Sequence, residues 1–164
     1  MKLKKLYPDL YLDSIYDIEF EELKKEGIEG LITDLDNTLV AWNEEEIDKR
    51  LGYWFEEAKK HNFEICLVSN NSSSRVFNFA RKVNIHAIPK AKKPSRRAFR
   101  KALRLMELSP SQVAVIGDQM FTDVLGGNRV GLFTILIRPI AEREFIGTKF
   151  MRKIEKHFLK RYTS

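Results

Sequence analysis

Five short apolar runs, each closed at its C-terminal end by a polar or charged residue or a proline, constrain this chain more than any other feature. Gly30-Leu31-Ile32-Thr33 stops at Asp34, and Phe63-Glu64-Ile65-Cys66-Leu67-Val68 stops at Ser69. Ile85-His86-Ala87-Ile88 leads into Lys90, and Val113-Ala114-Val115-Ile116 into Gly117-Asp118. Leu132-Phe133-Thr134-Ile135-Leu136-Ile137 ends before Pro139. Runs this short, largely continuous and β-branched are what parallel strands buried on both faces require.

Amphipathic stretches fill the intervals. Asn43 can cap a helix to about Lys60, with Trp54, Phe55 and Ala58 inward. Ser72 to Lys82 predicts a second, with Val76, Phe79 and Ala80 inward. Ser95 can cap a third to about Leu108, with Phe99, Ala102, Leu103 and Met106 on one stripe and Arg96, Arg97, Arg100, Lys101 and Arg104 on the other. Asp123 to Val130 reads as a short helix ended by Gly131. Strands alternating with helices predict an α/β fold: a parallel sheet flanked by helices. Residues 1–164 read as a single domain, with residues 1–27 an added helical or loop layer and residues 148–164 a basic tail.

Composition narrows the class. A hydrophobic fraction of 43% is too high for a disordered chain. Lys and Arg number 29 against 23 acids, an excess that favours anionic partners: phosphorylated metabolites, nucleic acid or acidic lipid. The single Cys66 excludes an intramolecular disulfide and reads as a small buried hydrophobe. No apolar stretch approaches the roughly 18 residues of a spanning helix. The basic start lacks a signal peptide's apolar segment, so a cytoplasmic protein is expected, able to touch the inner face of the membrane. Gly126-Gly127-Asn128 is not a dinucleotide fingerprint, and no Walker-type loop occurs. His61, His86 and His157 lack metal-ligand spacing, and Tyr7, Tyr11 and Tyr16 read as packing residues.

The chemistry gathers where the runs end. In open parallel sheets, ligands bind beyond the carboxyl ends of the strands. There the chain sets Asp34 and Asp36 after the first run, Ser69-Asn70-Asn71-Ser72 after the second and Lys90 to Lys93 after the third. Gly117-Asp118, Thr122 and Asp123 follow the fourth. Hard carboxylate oxygens suit Mg²⁺, and a cation with a lysine suits a phosphoryl group.

These residues resemble the four motifs of the haloacid-dehalogenase-like (HAD) phosphatases. Asp34-Leu35-Asp36-Asn37-Thr38 matches DxDxT, and Ser69 the second motif. Lys93-Pro94 matches the third, and Gly117-Asp118 with Asp123 the fourth. The resemblance, spanning about Asp9 to Arg138, implies a Rossmann-like HAD fold and two-step phosphoryl transfer. Asp34 would be the nucleophile and Asp36 the acid and base. Mg²⁺ would be held by Asp34, the main-chain carbonyl of Asp36, Asp118 and Asp123. Ser69, through hydroxyl and backbone N–H, and Asn70 would bind the phosphoryl oxygens with Lys93, and Thr38 would orient the loop.

Neither the stretch from Leu39 to Phe63 nor that from Ser74 to Lys90 has room for a folded cap domain, so an open site facing a large phosphorylated substrate is expected. An oligomeric partner could cover it. Pro8 to Ile18, Gly27-Ile28-Glu29-Gly30 and Ala91-Lys92-Lys93-Pro94 resemble the bacterial YqeG-type subfamily of class III (IIIA), itself similar to mitochondrial phosphatidylglycerophosphate phosphatases. The implied substrate is that anionic lipid. Nucleic-acid ends, a soluble phosphate ester, or a noncatalytic RNA- or protein-binding role are the alternatives. Lys90 to Arg104 holds eight basic residues and no acid, a solvated helix face first and a polyanion surface second. Lys149, Arg152, Lys153, Lys156, Lys160 and Arg161, beside Ile154, Phe158 and Leu159, suit either a frayed terminus or an interfacial helix.

Overall fold

The computed structural model describes residues 3–141, 153, 155–157, 159 and 160. In chain order the elements are β1 (Leu10–Leu12), α1 (Phe20–Lys25), β2 (Gly30–Thr33), α2 (Lys49–Lys60), β3 (Glu64–Val68) and α3 (Ser73–Val83). Then come β4 (His86–Ile88), α4 (Arg96–Met106), β5 (Val113–Gly117), α5 (Leu125–Val130) and β6 (Phe133–Ile137). One turn of π-helix, Met120–Val124, leads into α5. The six strands lie in the order β1-β6-β5-β2-β3-β4, all parallel.

The continuous apolar runs sit where both faces are covered: every residue of β2 and of β5 is buried. Alternate side chains then divide between two cores. Leu31, Ile65, Leu67, Ala114 and Ile116 pack with Trp54, Phe55, Val76 and Phe79 of α2 and α3. Ile32, Cys66, Val68, Val113 and Val115 pack with Ala98, Phe99, Ala102 and Met106 of α4. A Cβ on Gly126 would overlap the Phe99 ring, so this glycine lets α5 lie close against α4.

Two local expectations change. The N-terminal segment is more than a helical layer: Leu10–Leu12 is a sheet strand, paired with Ile135–Ile137. Asp9 fastens it, its Oδ2 accepting from the Thr134 N–H at 2.8 Å, and Tyr11 is exposed rather than packed. The second helix starts at Lys49 and is capped by Asp48, whose Oδ1 accepts from Leu51 N at 2.8 Å, not by Asn43. The carbonyls of Glu44 and Glu45, which a helix from Asn43 would use internally, accept instead from Arg75 and Lys82 of α3.

In the basic tail, Lys149, Arg152, Ile154, Phe158 and Arg161 lie outside the described residues. Glu155 is buried, with its Oε1 accepting from Met120 N at 2.8 Å, and Leu159 packs against the cluster of Leu6, Met120, Val124 and Leu136. These two contacts tie this part of the tail to the start of the π-turn, so it is not a frayed end. No helix among the described residues is long and apolar enough to cross a membrane.

Candidate active site

β2, β3 and β4 follow one another toward one edge of the sheet, whereas β5 and β6 lie on the other side of β2. The crevice at that reversal, between the carboxyl ends of β2 and β5, is where an open sheet binds ligands. Asp34 follows β2 there, and its N–H donates to Ile116 O at 2.9 Å, fixing it beside β5. Asp118 follows β5 and is buried. The loop after Asp34 turns tightly: Asn37 is left-handed at φ 61°, a conformation its short side chain tolerates, and its N–H donates to Val40 O at 2.7 Å. That turn carries Thr38, whose hydroxyl donates to Asp118 Oδ1 at 3.1 Å.

Lys93 joins the motifs. Its Nζ donates to Asp34 Oδ1 at 3.0 Å, to Asp123 Oδ1 at 2.6 Å and to the Val68 carbonyl at 2.9 Å, which uses all three ammonium donors. Burial alone would lower the lysine's pKa, but the carboxylates of Asp123 and Asp34 outweigh it and hold it above the ordinary value. Asp123 is pushed up to about 6 by burial and by Asp34, despite Lys93. It rides on the π-turn, with Gln119 N donating to its Oδ2 at 3.2 Å. A Cβ on Gly117 would collide with the Asp123 carboxylate, so only glycine fits at the end of β5.

The second motif braces the third. Asn70 Oδ1 accepts from Lys93 N at 2.8 Å. Ser69 Oγ accepts from Asn71 N at 3.1 Å, while the Ser69 N–H donates to Ile88 O at 3.1 Å. The Ser69 hydroxyl, not its N–H, is therefore what that residue can offer a ligand. Asp36 stands apart from Lys93: its Oδ2 accepts from Asn71 Nδ2 at 2.8 Å and its Oδ1 from Arg75 Nε at 2.9 Å.

Arg75 escaped the sequence analysis. It ties Asp36 to the loop through the carbonyls of Ala41 and Glu44. A signal did exist: an arginine in the first turn of a helix opposes the macrodipole unless a nearby anion compensates it. Glu155, which holds the start of the π-turn, left no comparable signal.

The carboxylates of Asp34, Asp118 and Asp123 thus meet one ammonium, that of Lys93, and the excess of two negative charges matches one divalent cation. Carboxylate oxygens of Asp34, Asp118 and Asp123 all lie within 4.8 Å of one another, a hard donor set of the kind Mg²⁺ takes.

Residues 90–139 match the HAD-hydrolase-like family model. The chain is 46% identical over 158 residues to "Probable phosphatase YqeG" of Bacillus subtilis (strain 168), covering 96% of this chain and 92% of that protein. It is 29% identical to phosphatidylglycerophosphate phosphatase 1, chloroplastic/mitochondrial, of Arabidopsis thaliana, covering 94% of this chain but 47% of that protein. In three dimensions it is similar to the cobalt-bound deoxy-D-mannose-octulosonate 8-phosphate phosphatase of Haemophilus influenzae, with TM-score 0.55, 18% identity, and 84% and 90% of the two chains covered. With the parallel sheet and four motifs already in hand, the 46% identity across nearly the whole chain shows that it belongs to the HAD-like phosphatases of the YqeG type.

Proposed function

We propose that this chain is a Mg²⁺-dependent phosphomonoesterase whose substrate is phosphatidylglycerophosphate. The observation that carries the chemistry is the buried cluster of Asp34, Lys93, Asp118 and Asp123 at the reversal of the sheet. Asp34 attacks phosphorus in line and forms an aspartyl-phosphate as the ester P–O bond breaks. Asp36 gives its proton to the departing alkoxide, then takes one from the water that attacks the aspartyl-phosphate. That second displacement releases inorganic phosphate and restores Asp34. Lys93 offsets negative charge on Asp34 and the phosphoryl oxygens, Ser69 donates its hydroxyl to one of them with Asn70 beside it, and Arg75 with Asn71 orients Asp36. Asp34, the main-chain carbonyl of Asp36, Asp118 and Asp123 would hold Mg²⁺, with Thr38 fixing Asp118. Bound there, the ion supplies positive charge to the phosphoryl group.

The lipid substrate rests on the likeness to the Arabidopsis enzyme and on an open site: between β2 and β3 the chain has only α2 and a loop, and between β3 and β4 only α3. A bulky phosphate carrier needs such access. The setting we propose is cytoplasmic and peripheral to the membrane. The test is phosphate release from phosphatidylglycerophosphate, nucleic-acid ends and sugar phosphates, with Asp34→Asn as control. The lipid is expected to be turned over fastest, and a folded Asp34→Asn protein, free of deamidation by mass, is expected to be inactive. Faster release from another ester would replace the substrate; full activity of Asp34→Asn would remove Asp34 as nucleophile.

A further inference from the structure

Outside the site, one surface is built of unpaired cations. A groove of about 540 Å³ runs along α4 and is lined by Ser95, Arg96, Arg97, Arg100, Arg104 and, from α5, Arg129. Among the described residues none of these arginines is ion-paired, and no acid lines the groove. Arg96 Nε is shielded from solvent and has no hydrogen-bond partner among them. Arg96 and Arg97 occupy the first turn of α4, which holds no acid, so they add to the positive end of the helix dipole. Guanidinium forks crowded in this way repel one another until phosphate oxygens bridge them.

The groove adjoins the site. Arg129 Nη1 donates to Pro94 O at 3.2 Å, one residue past Lys93. α4 also starts at the edge of the sheet where the strands end, so Arg96 and Arg97 lie at the level of the catalytic loops. On that edge two large apolar side chains stand in water, Trp42 at 44% and Ile140 at 54% exposure. Asn37 of the DxDxT turn holds both backbones: Trp42 N donates to its Oδ1 at 3.3 Å and Ile140 N to its carbonyl at 3.0 Å. An exposed tryptophan and isoleucine gain from the headgroup and acyl boundary of a bilayer. A nucleic acid offers an aliphatic isoleucine no comparable burial.

We propose that this arginine groove binds headgroup phosphates of an anionic phospholipid bilayer, with Trp42 and Ile140 resting in the interface. The lipid's phosphomonoester then enters the neighbouring site without leaving the membrane. This surface deepens the phosphatidylglycerophosphate reading and rests on it for the choice of lipid.

The test is sedimentation of the full chain with phosphatidylcholine vesicles, with and without phosphatidylglycerol, at low and high salt. The native protein is compared with the triple variant Arg97→Gln, Arg100→Gln, Arg104→Gln, whose fold is checked by its melting. All three positions are exposed, so the variant is expected to fold. Each arginine near an anionic surface is worth about fivefold in affinity, so the variant is expected to bind on the order of 100-fold more weakly. Binding should require phosphatidylglycerol and fall at high salt. Equal binding by the folded variant, or no preference for anionic vesicles, would overturn the proposal. So would competition by glycerol 3-phosphate as effective as vesicle phosphate, which would make the groove a soluble-phosphate site. Tighter, variant-sensitive binding of single-stranded RNA would assign it to a nucleic acid instead. The vesicles carry no substrate, and hydrolysis of a soluble aryl phosphate by the native protein is scored separately. Vesicle binding without hydrolysis would sink the phosphatase reading alone, and hydrolysis without vesicle binding the surface alone.

Discussion

Lys93→Met isolates what the buried ammonium does. The lysine side chain is 3% exposed and touches Asp34 and Asp123, which are 11% and 2% exposed. Methionine keeps the apolar stem and removes the charge, leaving two buried carboxylates side by side. Removing one partner of a buried ion pair costs about 3–5 kcal/mol. For a chain of this length each kcal/mol moves the melting midpoint by about 2–4 °C, so the variant should melt roughly 6–20 °C lower at pH 8 without Mg²⁺. The sign of the pH dependence follows from the shifts. In the native protein the raised Lys93 pKa contributes stability that is full below the lysine's ordinary 10.5 and is lost only above it. Asp123, already about 6 with the lysine present, rises further without it. A raised carboxyl contributes stability below its ordinary 3.8 and loses it as pH rises through the raised value. The deficit of the variant should therefore be large at pH 8 and shrink at pH 5, where the carboxyl holds a proton. Mg²⁺ should narrow it too, because a divalent cation offsets the same charge. Thermal melts of both proteins at the two pH values, with and without Mg²⁺, decide it. Equal melting at pH 8, or a deficit that widens at pH 5, would refute the charge-balance argument.

Because Asp123 holds a proton below about 6, Mg²⁺ must displace it there. Affinity should be flat above that value and fall about tenfold per pH unit below it, with proton release. Calorimetry in two buffers of different ionisation enthalpy would show this, and a flat profile without proton release would take Asp123 out of the ligand set. Arg75→Gln should lower turnover of an aryl phosphate by on the order of 100-fold, mostly in kcat, because Asp36 loses the guanidinium that orients it. Arg75→Lys should recover only part of that loss, since an ammonium cannot hold Asp36 and two carbonyls in one plane; native kcat in both variants would leave Arg75 a loop tether.

The layers, and the residue types gathered at the site, are legible in the sequence. A continuous apolar run such as Val113 to Ile116 leaves no polar face, so it must be covered on both sides, and parallel pairing then gathers the residue after every such run at one edge. Asp34, Ser69, Lys93 and Asp118 were legible for that reason, together with the similarity their spacing carried. What tertiary structure alone decided lies in contacts between distant residues. Leu10–Leu12 is three residues long, with two of them exposed, and only pairing to β6 makes it a strand. Asn43 and Asp48 are equally good caps by type, and the choice fell to Asp48 because Arg75 and Lys82, far along the chain, hold the Glu44 and Glu45 carbonyls that an earlier helix would need. Arg75 itself faces Asp36 across 39 residues, and Glu155 reaches Met120 across 35. Local propensity and periodicity cannot register such bonds, because their partners are neighbours only after the sheet has formed.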